Sequence, residues 1–399
     1  MRVALLTYST KPRGGVVHTL ALAEALARLG ADVTVWTVGR GGDDGFFRPV
    51  DPQVEVEVAP LPHLEGETVG ARIQRSIRVL GTAFADRTAA GVAYDVVHAQ
   101  DCISANAVPR CVRTVHHLDQ FTTPELVACH ERAIVRPYAH VCVSAAVAVE
   151  VEAGWGLRPT VIPNGVEAQR FVEAAADPGA SEPWRRRFGR YVLAVGGIEP
   201  RKGTLDLLEA FALARRTRPE LELVLAGGET LFDYRGYREA FDARAVELGV
   251  VPHVLGPVDH AALPGLVAGC AAFGFVSTKE GFGLAAMEAL AAGVPVLARP
   301  LPVLREVFGD HVRYADEKRS MAAALLECVE RGPLPGGAGL ALHHTWERAA
   351  RSHLDLYASL SARPGAAARR RDRSGPDRPA AARGPGRPAG TGTTRPACP

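Results

Sequence analysis

The sequence predicts an α/β fold of two doubly wound parallel sheets, each with helices on both faces, on three observations. Apolar runs of strand length alternate with helical patterns along residues 3–361, which is the pattern of repeated βαβ units. The alternation is interrupted once, at residues 173–190, where Pro178, Gly179, Pro183 and Arg185-Arg186-Arg187 read as a loop-like linker. The 399 residues are 47% hydrophobic and 23% charged, ordinary for a soluble globular chain and enough for two cores.

The elements follow in order. Val3–Tyr8 is a continuous apolar run, as expected of a strand covered on both faces. Gly14-Gly15 leads into a helical pattern over Val17–Leu29, which Gly30 ends. Asp32–Thr37 and Val54–Ala59 read as strands, the second alternating apolar and acidic residues. Residues 68–90 read as a helix, Asp95–His98 and Arg113–Val115 as strands, Pro124–Val135 as a helix and Val141–Ser144 as a strand. Past the linker, Tyr191–Val195 and Leu221–Ala226 are strands, each followed by a helix, Thr204–Arg216 and Tyr237–Leu248. Short strands at His253–Leu255, Ala272–Val276 and Pro295–Ala298 complete the second half. The expected domains are 1–172 and 191–345, both Rossmann-like and facing a cleft, followed by a helix over 346–361. Open sheets of this kind bind ligands beyond the carboxyl ends of their strands.

Residues 362–399 contain no large apolar side chain and carry nine arginines against two aspartates, a net of +7 in a chain whose total is +2. With nothing to bury, this tail is expected to be disordered. A solvated extension and a weak contact with an anionic membrane or RNA both fit its charge. The remainder is acidic, so no nucleic-acid partner is expected for the folded part. The seven cysteines form no metal-binding spacing and read as core thiols in a reducing compartment. No stretch reaches the 18 apolar residues of a membrane span. These features point to a cytoplasmic protein, with the inner membrane face as a place the tail would contact.

Neither G-x-G-x-x-G after the first strand nor G-x-x-x-x-G-K-[ST] occurs, which weighs against a nicotinamide enzyme and a P-loop nucleotidase. Gly14-Gly15 at a helix entrance would let backbone amides approach an anion, or form an ordinary turn. Arg201-Lys202 opens a helix after Val195-Gly196-Gly197. Cations there oppose the helix dipole unless they share an anion with the amides. Glu280 precedes the turn Gly281-Phe282-Gly283. Glu288 lies on the helix that follows, on the face of Leu284, where a carboxylate needs a polar partner or an exposed rim. Sugar or ribose hydroxyls would be such partners. His116-His117 follow a strand, a position for contact with a reacting group or for a structural histidine; His98 has the same placement.

Glu280-Gly281-Phe282-Gly283-Leu284 with Glu288 resembles the E-x7-E motif of the family-4 retaining glycosyltransferases, which have the GT-B fold. Pro163-Asn164-Gly165-Val166-Glu167, Gly293-Val294-Pro295-Val296 and Thr345-Trp346-Glu347 fit the same family, and Gly196 to Gly203 with Thr114-Val115-His116-His117 resembles an actinobacterial-type subgroup. The resemblance implies two Rossmann-like domains, with a C-terminal helix crossing back to the first. It implies a nucleotide-diphosphate sugar as donor, with Arg201 and Lys202 on its diphosphate and Glu280 on the sugar hydroxyls. The amides of Phe282, Gly283 and Leu284 would lie near sugar and phosphate, Glu288 would bind the ribose, Gly15 would approach the diphosphate, and His116 would sit by the transferred sugar. Gly197 stands where many members carry arginine, so Arg201 would supply that charge; His98 and Gln100 stand where many carry two histidines.

No D-x-D carboxylate pair stands at a strand end, so neither metal nor cofactor is expected, and cations with helix amides would neutralise the leaving group. The expected reaction is retaining hexosyl transfer to an unidentified acceptor. A GT-B sugar-nucleotide epimerase and a non-catalytic nucleotide-sugar-binding module are the alternatives.

Overall fold

A computed structural model describes residues 1–118, 124–227 and 234–362. Among the described residues, thirteen strands form two sheets. The first holds β1 (Arg2–Leu6), β2 (Asp32–Arg40), β3 (Val54–Leu61), β4 (Val96–Ala99), β5 (Val112–Val115), β6 (Ala139–Cys142) and β7 (Thr160–Val161). The second holds β8 (Arg190–Val195), β9 (Leu221–Ala226), β10 (His253–Gly256), β11 (Ala272–Phe275), β12 (Val296–Ala298) and β13 (Arg313–Tyr314). Every strand pair is parallel. The orders are β3-β2-β1-β4-β5-β6-β7 and β10-β9-β8-β11-β12-β13. Each sheet reverses its order once, between β1 and β4 and between β8 and β11, and ligands of open α/β sheets bind at such switch points.

The central strands are buried on both faces, which is why Val3–Leu6 and Tyr191–Leu193 contain no polar residue. β3 is the contrasting edge. Its acidic residues alternate outward, and Arg87 pairs with Glu55 and Glu57 there at 2.8 and 3.3 Å.

The expected loop at 173–190 is helical instead. Helices span Ala168–Ala176 and Pro178–Phe188. Asp177 caps the second, accepting a hydrogen bond from the Gly179 amide at 2.9 Å, with Pro178 in the first turn where its missing N–H costs nothing. The three arginines occupy the last turn, where the dipole favours them. Trp184 stacks on buried Phe188, and both belong to the core of the second sheet. A segment read by its polar composition is thus ordered by two aromatic anchors. The first strand ends at Leu6 rather than Tyr8, and two helices not expected from the pattern cover Cys102–Ala107 and Ala145–Trp155.

Among the contacts that join the halves within the compact unit Met1–Tyr357, three involve helix ends. Glu306, on the helix Pro302–Phe308, accepts hydrogen bonds from the Ala145 and Ala146 amides, each at 2.7 Å. Its carboxylate therefore lies at the positive end of the helix Ala145–Trp155. Gly165 approaches Trp346 so closely that a Cβ would lie 2.3 Å from the Trp346 nitrogen. The helix Trp346–Ser361 then crosses back to the first sheet, where Trp346 packs edge-on against His18, and Tyr357 Oη hydrogen-bonds His98 Nδ1 at 2.7 Å. Among the described residues, no helix is long and apolar enough to cross a membrane. The basic tail lies, from residue 363 on, outside the described residues.

Gly165→Ala should lower the stability of the protein by about 1–3 kcal/mol or more, because the added methyl meets rigid backbone. Gly154→Ala is the control: it sits in a helix with open space around it and should be neutral or stabilising. Chemical denaturation of both variants checks this, and equal midpoints would contradict it.

Candidate active site

The site is assembled from the loops after β8 and β11, at the second sheet's switch point, and from those after β1 and β5 of the first sheet. After β8, Gly196-Gly197 turn the chain and Pro200–Lys202 form a single 3₁₀ turn before the helix Thr204–Arg215. After β11, Ser277–Gly283 lead to the helix Leu284–Ala291. The two loops are tied by a hydrogen bond from the Thr278 amide to the Arg201 carbonyl at 2.8 Å.

Glu280 is the focus. One of its carboxylate oxygens accepts from Lys202 Nζ at 2.7 Å and from Arg201 at 3.2 Å, and Arg201 also pairs with Glu199 at 3.0 Å. The Glu280 side chain is 10% exposed. Burial pushes its pKa up, but Lys202 and Arg201 outweigh it and hold the group down at about 2, so it is ionised at neutral pH. Lys202 Nζ also lies 5.6 Å from the centre of the Phe275 ring, which shields its charge from water. The cations expected to face a diphosphate are present and held by an anion of the protein itself.

Glu288 has the opposite environment. It is half-buried on the helix Leu284–Ala291. Burial raises its pKa to about 8; Glu167 pushes the same way and Arg170 opposes. It is therefore a carboxylic acid at neutral pH, able to donate a hydrogen bond. Phe282 is buried, and Gly283 takes a φ of +98° against the Phe308 ring, a conformation and a space that exclude other side chains.

The halves meet at His116. A Cβ on Gly281 would lie 1.5 Å from the His116 carbonyl oxygen, so only glycine lets the Glu280 loop reach the first domain. A Cβ on Gly15 would lie 3.7 Å from the His116 ring, so Gly15, His116 and the Glu280 loop, singled out separately in the sequence, come together. His116 Nε2 is shut off from solvent and has no hydrogen-bond partner among the described residues. Burial, with His18, Arg113, His117 and His98 nearby, holds its pKa well below the usual value, so the ring is neutral.

His18 backs His116 edge-on at 4.7 Å and shares a hydrogen bond of 2.9 Å between its Nδ1 and Asn164 Oδ1. Burial first, then His353, lowers its pKa to about 3, and the Asn164 bond opposes the shift. His98 is fully buried, its two nitrogens bonded to Tyr357 Oη and Thr114 Oγ1 at 2.7 Å each. It is a structural histidine. His18, Glu199 and Glu306 were not singled out in the sequence, because nothing in their local pattern separates them from ordinary helix and loop residues. Asn164 had one signal, its place in the Pro-Asn-Gly run. A hollow of about 540 Å³, with Arg170, Glu173, Trp184 and Pro264 among its walls, is lined by none of His116, Arg201, Lys202, Glu280 and Glu288.

The two parallel sheets thus bring a cation pair and a glutamate at the β8/β11 switch point into contact with His116, which follows β5, beside the glycine-opened helix that follows β1. Residues 12–170 match the family described as Glycosyltransferase Family 4, and residues 186–336 match Glycosyl transferases group 1. The chain is similar to the phosphatidyl-myo-inositol mannosyltransferase of Mycolicibacterium smegmatis, at 26% identity over 84% of this chain and 87% of the relative. It is also similar to the D-inositol 3-phosphate glycosyltransferase of Xylanimonas cellulosilytica, at 28% over 91% and 97%. Among solved structures, sucrose-phosphate synthase of Thermosynechococcus elongatus superposes with a TM-score of 0.71 at 19% identity, covering 90% of this chain and 98% of its own. Anabaena HepE superposes with 0.64 at 20%, covering 90% and 99%. The protein belongs to the family-4 glycosyltransferases of actinobacterial type and is a glycosyltransferase.

The two glutamates should show opposite pH signatures. Glu280, with its pKa lowered, contributes stability present above its unfolded value near 4.5 and lost as pH falls toward 2. Glu288, with its pKa raised, keeps its proton in the folded state, so stability declines as pH rises from about 4.5 through 8. Melting curves from pH 4 to 9 should therefore flatten on the alkaline side in Glu288→Gln and keep their shape there in Glu280→Gln. Identical profiles would refute the assignment.

Proposed function

We propose that the protein transfers a hexosyl unit, with retention of anomeric configuration, from a nucleotide-diphosphate sugar to an acceptor on the first domain, without metal or cofactor. The observation that carries this reading is the cluster of Arg201, Lys202 and Glu280 at the β8/β11 switch point, in contact through Gly281 with His116. In this reading the donor diphosphate draws Lys202 and Arg201 onto its oxygens, and these cations stabilise the negative charge that develops on the leaving group. The amides of Phe282, Gly283 and Leu284, at the positive end of their helix, add to that field. Glu280, released from part of its pairing, accepts hydrogen bonds from the sugar hydroxyls. Glu288, protonated, meets the ribose. Gly15 leaves room for the diphosphate, and neutral His116 bonds the transferred sugar with its unpartnered nitrogen.

The name of the mycobacterial relative supports mannose as the unit moved, and HepE, solved with UDP and glucose, supports glucose and a uridine nucleotide. The epimerase alternative finds no support in the family matches. A cytoplasmic location, weak membrane contact through the basic tail and the lack of a nucleic-acid partner rest on composition.

Arg201→Ala and Lys202→Ala should each lower kcat/KM on the order of ten- to a hundredfold, the effect of losing a charged hydrogen bond of about 1.5–3 kcal/mol. EDTA should leave wild-type turnover unchanged. Wild-type kinetics in both variants would remove the diphosphate role, and loss of turnover in EDTA restored by Mg²⁺ would overturn the metal-free step.

Glu288→Gln should weaken binding of the free nucleoside diphosphate. Glu280→Gln should reduce kcat while that binding persists, because its contact is made to the sugar. Calorimetry with UDP and GDP beside steady-state kinetics separates the two. The same profile in both variants would contradict the division of roles.

A further inference from the structure

Away from Glu280, the two domains also touch at the loop after β2, whose course is fixed at both ends. Gly41 and Gly42 take φ of +63° and +97° and turn the chain back so tightly that a Cβ on Gly39 would clash with the Asp43 carbonyl. Asp43 accepts from Thr10 Oγ1 at 2.6 Å and pairs with Lys11 at 2.8 Å, and the Phe47 amide donates to the Thr10 carbonyl at 3.0 Å. At the far end Arg48 forks onto both carboxylate oxygens of Glu24, at 2.6 and 2.9 Å, the two side chains being only 8% and 11% exposed. Glu24 lies on the helix Gly14–Arg28, which begins beside His116.

This anchoring carries Phe47 onto the second domain. Its ring meets that of His260, in the loop after β10, edge-on with centroids 5.7 Å apart. His260 is itself pinned. Arg170 Nη1 donates to His260 Nε2 at 2.6 Å, and Arg170 Nη2 donates to the His260 carbonyl at 2.7 Å. Nε2 must therefore carry the lone pair, which makes the ring neutral; burial first, then Arg170, lowers its pKa. Arg170 Nη1 also donates to Glu167 Oε2 at 2.7 Å. Glu167 and Arg170 are the charges that act on Glu288. A chain of contacts thus runs from the helix Gly14–Arg28 through Glu24, Arg48, Phe47, His260 and Arg170 to the surroundings of Glu288. Arg48 and Arg170 are matched by Glu24 and Glu167, with Asp259 also near His260, so this cluster holds no excess of positive charge.

We propose that Phe47 and His260 are positioning residues for donor binding: their contact sets how closely the loop after β2 sits against the nucleoside end of the site, marked by Glu288. The inference rests on the transferase reading, in which Glu288 meets the ribose. It adds two residues of opposite domains that touch each other rather than the reacting atoms. An aromatic ring just past Gly41-Gly42-Asp43-Asp44-Gly45 serves this contact, where a solvated turn would need none. Glu24 and Asp43 hold the loop from the first domain and Arg170 holds His260 from the second, so the rings meet without either being free to wander. An edge-on aromatic pair is worth about three- to tenfold in an equilibrium constant, which is the weight the pair would lend to a bound nucleotide.

The test uses the full chain as wild type, Phe47→Ala, Phe47→Tyr, His260→Ala and the double variant Phe47→Ala with His260→Ala. In calorimetry with UDP and GDP, the nucleotide that the wild type prefers should bind about three- to tenfold more weakly to each alanine variant. The double variant should be no more than about twofold weaker than the worse single one, because both substitutions remove the same contact. Phe47→Tyr keeps a ring that can meet His260 edge-on and should stay within about twofold of wild type. Hydrogen exchange without nucleotide gives a readout that does not depend on the donor. The Phe47 amide, bonded to the Thr10 carbonyl, should exchange about threefold or more faster in His260→Ala, although that substitution lies in the other domain. Should Phe47→Ala fail to fold, Phe47→Leu, which keeps the bulk without the ring, replaces it with the same expected loss. The inference fails if both single variants bind nucleotide as the wild type does, if their losses multiply in the double variant, or if Phe47→Tyr loses as much as Phe47→Ala. It also fails if exchange at Phe47 is unchanged in His260→Ala. Binding of neither nucleotide by the wild type would count against the donor reading, and the exchange result would then decide the contact between the loops by itself.

Discussion

One carboxylate organises this protein. Glu280 holds Lys202 and Arg201 on a single oxygen, and through them joins the loops that follow β8 and β11. Two cations and an anion taken partly out of water are tolerable only together, since each alone would carry its full desolvation cost. The pairing keeps the Gly281 turn pressed against the His116 carbonyl, and so keeps the second domain's loops after β8 and β11 against the first domain.

Behind this contact the first domain presents neutral rings. His18, His98, His116 and His353 all have lowered pKa values, chiefly through burial. As neutral groups they stack edge-on and share hydrogen bonds with Asn164, Thr114 and Tyr357 without repelling one another. The helix that begins at Trp346 completes this layer, and its start is set by the close approach of Gly165. The packing that seats the crossing helix is thus the packing that orients His116.

Glu280 and Glu288 show how little a residue type says about its charge. Eight positions apart, one is ionised and one protonated at neutral pH. Burial raises both; beside the first Lys202 and Arg201 outweigh it, while beside the second Glu167 adds to it. None of those neighbours is within 70 positions of its glutamate, so no local pattern encodes the difference.

The sequence by itself determined the parallel two-sheet architecture, because strands buried on both faces must be apolar throughout and helices crossing them must be amphipathic. It also marked Gly15, His116, Arg201, Lys202, Glu280, Gly283 and Glu288, since glycines and charges at strand ends stand out against such runs. It misread residues 173–190, where polar composition concealed two helices anchored by Trp184 and Phe188. Only the tertiary structure decided that Glu280 pairs with both cations, that His18 and Asn164 support His116, that Glu306 caps a helix of the other domain, and that Arg13 and Arg40 meet over Tyr8. Each of these depends on residues far apart in the chain brought within a few ångströms by the sheets. Hydrophobic periodicity records which face of an element is buried; it carries no record of which distant polar groups meet there.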